Sequence, residues 1–478
     1  MANLQPGIEL AFANGFYRTR SPQLSTQRCI NYYPIIHKQP ALSLESLYAT
    51  PGIVSVLSSI GGLSRGAKLM GGLPYFVQGN RLFRIDRTVN PDLTETFTAV
   101  NLGEIPGSGR VIMAEGLSAS GRDLIIVEPG ISAFSYNTIT GVITDLHTLT
   151  NFLSPVLDVV VVNGFYIFLQ DVTNTLFHSN LNDSLTYNAL DFEIVNAVTT
   201  SVGLIKYRNR LSLMSTEQLI PFNFIGGANF VFQAQVNAGI DTGLRSIHAK
   251  VNIRQSFVYL GIREDAEPGI WLFQGGTPIK ISTAPIDFDI QNLTETQLDK
   301  AFLLSYSQSG GEFVVFIAGD LCYTFDIASQ RWHERRSKIS GVDNRWRVNA
   351  LVKAYNRIMV GDVLDGRIGS LDDQTNIEYD DPIFRSVTLQ PFDNKGKAIL
   401  VKNLLLAMDV GFGGDMTMDW SSDGHTYSDA ITRSAGDVGQ FGTNVQWDRI
   451  GESSFYRVLR LGTSSNAPSN INKIIATA

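Results

Sequence analysis

The chain has 478 residues, a formal net charge of −7, 17% charged and 10% aromatic residues, 43 glycines and two cysteines. Its length calls for more than one core, and an acidic balance with a pI near 5.5 argues against a surface that grips nucleic acid through its phosphates. Cys29 and Cys322 lie far apart without metal or redox spacing, so a disulfide framework is excluded and folding in a reducing cytoplasm is the default; no stretch is apolar enough to span a membrane and Met1 to Leu10 lacks the regions of a signal peptide, so a soluble chain outside the general export pathway is expected.

Residues 1–49 are irregular, punctuated by Pro6, Pro22, Pro34 and Pro40, with Phe12, Phe16, Tyr17, Tyr32 and Tyr33 scattered without a period. They read as an extended N-terminal arm that packs on something else.

From Leu73 to Asp373 a pair of short apolar strands around a tight turn returns about every 40 to 50 residues, the spacing of a β-propeller blade. The pairs run through Leu73–Ile85, Asp123–Val127 with Ala133–Tyr136, Leu157–Leu169, and Leu204–Met214. They continue through Ser256–Leu260 with Gly269–Phe273, Glu312–Ile317 with Leu321–Phe325, and Asn349–Val360. Gly79-Asn80 and Asn163-Gly164 suit the positive φ of two-residue hairpin turns, and Gly319-Asp320 and Asp365-Gly366 are further turn signals. Six or seven units fit, so residues 50–380 read as a six- or seven-bladed β-propeller in an all-β protein, in keeping with the glycine and aromatic content. The best helical window, Glu295 to Leu304, reads as one crossover helix between blades.

After Asp380-Asp381-Pro382 the composition shifts to longer alternating strands: Phe384–Leu389, Ala398–Val410, Asp415–Trp420, Asn444–Arg449 and Ser454–Leu461. Five or six antiparallel strands of this kind make a C-terminal β-sandwich over 381–478.

Chemistry-bearing patterns are few. The six histidines form no metal-ligand pair, there is no Gly-x-Ser-x-Gly elbow, and Ile105-Pro-Gly-Ser-Gly-Arg110 lacks the lysine and helix of a phosphate loop. Trp420-Ser-Ser-Asp-Gly-His-Thr-Tyr427 resembles the Asp-box turn of sialidase propellers, a motif that is structural even there, and Asp423-Gly424 is first of all a turn. One basic-aromatic run stands out: Arg331, Trp332, Arg335, Arg336, Arg345, Trp346 and Arg347, with Lys338, put six basic residues and two tryptophans in seventeen positions. Arg with Trp suits a protein interface or a stacking nucleic-acid site; the alternative is a blade turn with solvated arginines.

Several short segments, in order, resemble the packaged-DNA stabilisation proteins of short-tailed bacteriophages, also called tail accessory factors or tail nozzles. They are Cys29-Ile-Asn-Tyr-Tyr-Pro34, Thr50-Pro-Gly-Ile53, Leu63-Ser-Arg-Gly66, Gly107-Ser-Gly-Arg-Val-Ile-Met-Ala114, Glu217–Phe222, Gly275–Ser282, and Trp420–Gly424 to Trp447–Gly451. The resemblance spans nearly the whole chain. It implies a homohexameric ring of the virion tail that binds the head-to-tail adaptor below the portal, closes the DNA exit channel after packaging and carries tail spike, fibre or needle proteins. Double-stranded DNA would pass without sequence-specific binding, and the protein would be made and assembled in the host bacterial cytoplasm. Acidic residues in blade loops are expected to face the channel, since they would let the phosphate backbone slide. Neither the residues nor the resemblance supplies a catalytic, cofactor-binding or metal residue, so no enzyme, cofactor or small-molecule substrate is expected. The alternative is a glycan-hydrolysing propeller, or a glycan-binding one using aromatics such as Trp271 or Tyr259.

Overall fold

The computed structural model describes residues 7–477 apart from 172, 197, 198, 236, 237, 255, 264 and 265, so Pro6 of the arm lies outside the described residues. Seven antiparallel sheets follow one another along the chain, each opened by a first strand: Ser64–Met70, Ile112–Ser118, Val156–Val162, Ser201–Tyr207, Lys250–Ile253, Phe302–Gln308 and Val348–Ala354. The seventh sheet takes its outer strand, Gly52–Leu57, from before the first sheet, with Ile53 opposite Leu371. First strands of neighbouring sheets touch one another, save that the fourth and fifth sheets meet through Arg210–Ser215 and Gly243–Leu244, and Val348–Ala354 touches Ser64–Met70, so the series closes into a ring.

The apolar runs exist because each sheet is covered on both faces. In Leu124-Ile-Ile-Val127 successive side chains point to opposite faces: Leu124 and Ile126 join Tyr75, Val77 and Leu82 of the first sheet, while Ile125 and Val127 join Phe168 and Phe177 of the third. The same division recurs around the ring to the last interface, where Val352, Met359 and Ile368 meet Phe76, Phe83 and Ile85. Burying one such side chain contributes about 1.5–3 kcal/mol, so each interface stands on many small apolar terms. The hairpin turns conform: Asn163 and Gly164 have φ of 51° and 84°, whereas in Gly79-Asn80 only Gly79 is positive, at 53°.

Three features depart from expectation. The single crossover helix of 295–304 is instead two short helices between the fifth and sixth sheets, α1 (Ala284–Gln291) and α2 (Glu295–Asp299), and Phe302 already begins a strand. A capping box at Thr294 and Gln297 starts α2. The first strands of the first, third, fourth and seventh sheets share a register shift near their starts, between Ser64 and Gly66, Val156 and Asp158, Ser201 and Gly203, and Val348 and Ala350. Such bulges re-aim side chains, here at one end of the axis. The sandwich also has more than five or six strands: the C-terminal segment adds Ile431–Ser434 and Ile471–Thr477 to those expected, and residues before 50 enter both of its sheets.

Tyr32–Ile36 and Glu45–Ala49 join Ile471–Thr477, Ile399–Met408 and Val445–Ser453 in one sheet; Thr26–Ile30 joins Arg385–Thr388, Tyr456–Thr463, Asp415–Ser421 and Ile431–Ser434 in the other. Leu404, Met418, Trp447, Leu459, Leu461 and Ile474 fill the space between, with Phe12 and Tyr32. Phe16 goes instead to the core between the fifth and sixth sheets, and Tyr33 to that between the sixth and seventh. These aromatics lack a period because they serve three different cores.

Candidate functional site

Propeller and sandwich are joined by a seam rather than a linker. The last strand of the sixth sheet, Arg331–Glu334, pairs in parallel with Thr26–Ile30 at Glu334 and Ile30, and that strand pairs with Arg385–Thr388 of the sandwich, so one sheet runs through both. Asn31, in a left-handed conformation at φ 55°, ties the corner. Its amide nitrogen donates to the Arg336 and Phe384 carbonyls at 2.9 and 2.7 Å, and its amide oxygen accepts from the Arg336 N–H at 3.0 Å. Thr50 Oγ1 donates to the Asn31 carbonyl at 3.1 Å, and Arg28 grips Glu334 through Nε and Nη2 at 2.9 and 2.6 Å.

The basic-aromatic run lies along this seam. Trp332 is buried and donates its indole N–H to the Ile281 carbonyl at 2.8 Å. Arg335, 0% exposed, donates to the Tyr306 hydroxyl and the Pro51 carbonyl, each at 3.2 Å, and stacks over Trp346 at 4.1 Å. Trp346, also 0% exposed, donates to Glu378 at 3.1 Å. Arg347, 1% exposed, holds Asp362 at 2.5 Å and Asp381 at 3.1 Å. A partner cannot reach these four without opening the seam, so the tryptophans serve the inside of the chain. Arg345 is half-buried among the carbonyls of Trp346 and Val348 and the Asn349 side chain. Arg331 pairs with Glu45 and Arg336 with Asp343, at 2.6 and 2.7 Å, on the flank.

Two members escaped sequence reading. Glu378 lies beneath Arg335 and Trp346, and burial raises its carboxyl above the ordinary range against the pull of Arg335. Arg385 is fully buried and donates to the Thr50 carbonyl at 3.2 Å; burial lowers its guanidinium, with the Tyr32 hydroxyl acting the other way. Their signal was faint: an arginine inside an apolar strand, and an acid beside Asp380 and Asp381.

A second ionic knot explains two of the glycine-bearing segments. Arg65 and Glu128, both buried, pair at 2.6 Å, and Arg65 also donates to the carbonyls of Gly109, Gly79 and Ile105. The Glu128 carboxylate accepts the Gly109 N–H at 2.6 Å. Gly107 sits at φ +117°, where a Cβ would lie 1.7 Å from Glu128 Oε2, so only glycine fits. The loop 105–110 thus serves an internal carboxylate.

The Asp-box is a turn in the sandwich. The Asp423 carboxylate accepts the N–H groups of His425 and Thr426 at 2.8 and 2.7 Å, and the Ser421 hydroxyl accepts that of Gly424 at 2.8 Å. Those backbone bonds hold the Asp423 carboxyl well below the usual range, which suits a permanent acceptor and not a proton donor.

The tunnel along the propeller axis is crossed by a side chain. Arg110, just before the second sheet, donates to the Asn349 carbonyl of the seventh sheet at 2.6 Å and lies 3.4 Å over the Phe302 ring of the sixth. It therefore reaches past the first sheet to the seventh and sixth. Among the described residues no group of three or more His, Cys, Asp or Glu side chains is placed to hold a metal ion, and no helix is long and apolar enough to cross a membrane.

The sequence matches the family described as "Bacteriophage P22 Gp10, beta-propeller" over residues 8–376, and that described as "Bacteriophage P22 Gp10, beta-sandwich" over 385–478. It is 19% identical over 314 residues to the tail hub protein gp10 of Salmonella phage P22, covering 61% of this chain and 65% of that relative. Among solved structures it is similar to the computationally designed Ika8 protein, with TM-score 0.36 and 11% identity over 67% of this chain and 99% of that one. It is also similar to the WD40 beta propeller domain of Doa1, with TM-score 0.40 and 8% identity over 67% and 97%.

Proposed function

Since the chain belongs to the bacteriophage P22 Gp10 family, made of a β-propeller and a β-sandwich, we propose that it is a structural protein of a phage tail, a homohexameric nozzle without enzymatic activity. In this reading the ring docks below the portal and adaptor, closes the DNA exit channel after packaging, stabilises the packaged genome and carries the distal tail proteins through which DNA leaves. The seven sheets are taken as seven blades, and the chain as an arm over 1–49, a propeller over 50–380 and a sandwich over 381–478.

The observation that carries the reading is the seam itself. A subunit that transmits load between a head and distal tail proteins needs its two bodies fixed, and here a continuous sheet and buried arginines fix them. Because Arg110 crosses the propeller tunnel, the exit channel would lie between subunits, not through each propeller. A ring of this kind closes by one repeated heterologous contact. The basic run contributes to that contact only through Arg331 and Arg336, the two members on the flank.

Mass photometry and negative-stain microscopy of the purified protein, alone and mixed with its own portal and adaptor rings, test the proposal. Six-fold density capping the adaptor is expected. A monomer that ignores those rings would overturn it.

A further inference from the structure

Two arginines near the propeller axis approach one another without an ion pair to either. Arg110 and Arg345 converge on one neutral atom, the Asn349 side-chain oxygen, each at 3.1 Å. Both guanidinium groups also lie on the same Phe302 ring, at 3.4 and 5.7 Å. Neither forms an ion pair among the described residues, unlike Arg65, Arg347 and Arg460. Lys250, which pairs with Asp158 beside Gly203, acts together with Arg110 on the intervening His248. His248 completes the rim, with its carbonyl accepting the Leu303 N–H at 3.1 Å. Of the three cations only Lys250 has a paired carboxylate; Asp320 and Asp362 act on Arg345 without forming an ion pair.

Two guanidinium groups sharing a neutral oxygen repel one another, and partial burial strengthens that repulsion. Burial followed by the charge of Arg345 lowers Arg110 to about 9. Burial, then Arg110 and Lys250, keep the His248 imidazole well below its ordinary range, so it stays neutral. Arg110 uses one Nη on Asn349, and its Nε and second Nη have no acceptor among the described residues. An oxyanion with several acceptor oxygens would complement this set, because guanidinium forks match phosphate geometry.

We propose that Arg110 and Arg345, backed by Lys250, form a binding site for a phosphate-class oxyanion at the mouth of the propeller tunnel. With Arg110 lying across the axis, the ligand is a free phosphate or the terminal phosphate of a strand end. The first-strand bulges near Ser64, Asp158, Gly203 and Ala350 put this polar girdle at the end where the seven strands begin.

Isothermal titration of the full chain with inorganic phosphate, with a 5′-phosphorylated oligonucleotide and with its 5′-hydroxyl counterpart tests the site. Saturable binding of phosphate is expected, weakened at least tenfold in Arg110→Gln and in Arg345→Gln and unchanged in Arg210→Gln, an exposed arginine elsewhere. Binding of the 5′-phosphorylated strand and not the 5′-hydroxyl strand would identify a strand end as a source; binding of inorganic phosphate alone would identify the free ion. Should Arg110→Gln fail to fold, Arg345→Gln decides by itself. Absence of saturable binding to the unaltered protein, or affinity unchanged by the Arg345 substitution, would overturn the proposal.

Discussion

The interfaces between propeller sheets and the seam to the sandwich hold by opposite means. Between sheets, contacts are mainly apolar and, except where the ring closes, join neighbours in sequence, as where Leu124 and Ile126 meet Tyr75 and Val77, with the Arg65–Glu128 pair set among them. At the seam, contacts are ionic or polar and join segments some three hundred residues apart, as where Arg28 meets Glu334 and Arg335 meets the Pro51 carbonyl. The first kind tolerates loss gradually, because its energy is spread over many methyl and ring contacts. The second is brittle: a buried charge whose partner is removed carries its whole desolvation cost.

The largest effect is expected from Arg347→Ala, which strands Asp362 in the interior of the seventh sheet beside the seam. We expect a loss of about 3–5 kcal/mol, read by chemical denaturation. The double variant Arg347→Met with Asp362→Leu should recover most of that loss, since no buried charge is then unpaired. Leu124→Ala, within an interface between sheets, should cost about 2–5 kcal/mol and shift a single transition without splitting it.

His333 sharpens the comparison through pH. It lies buried at the seam without a hydrogen-bond partner on either ring nitrogen among the described residues, and burial, then Arg335, lowers it to about 3. The unfolded chain takes up this proton first, so its contribution to stability is complete above the ordinary histidine value of about 6.5 and falls as pH drops towards 3. Between pH 6.5 and 5 the loss should be about 2 kcal/mol, measured as the difference in denaturation between the unaltered protein and His333→Phe, which lacks the slope. A slope unchanged by that substitution would show that His333 is not held neutral.

The smallest effect is expected at Asp423. Its depressed carboxyl contributes above the ordinary carboxylate range, and the contribution is lost as pH falls through the lowered value. Asp423→Ala should reduce the melting temperature least of these variants at pH 7 and leave assembly intact.

Legibility in the sequence followed the same division. The hairpins at Leu73, Asp123, Leu157 and Leu204 were readable because both faces of each strand are apolar and the next strand lies a turn away. The role of residues 12–49 was not, because Phe12, Phe16, Tyr32 and Tyr33 enter different cores and so follow no single period. The run from Arg331 to Arg347 was visible as chemistry but not as location: Arg with Trp suits a buried junction as well as a surface, and only Asn31, Pro51, Glu378 and Asp362, brought from afar, decide between them. Arg110 was read as part of a loop, and nothing local indicates that its side chain spans the axis to Phe302 and Asn349.

Electron cryo-microscopy of the protein assembled on its adaptor ring tests the central claim most directly. The account predicts six subunits, each with propeller and sandwich fixed in one orientation, around a DNA channel bounded by neighbouring subunits, with every propeller tunnel crossed at Arg110. Sandwiches that swing freely relative to their propellers, or duplex density inside a propeller tunnel, would contradict it.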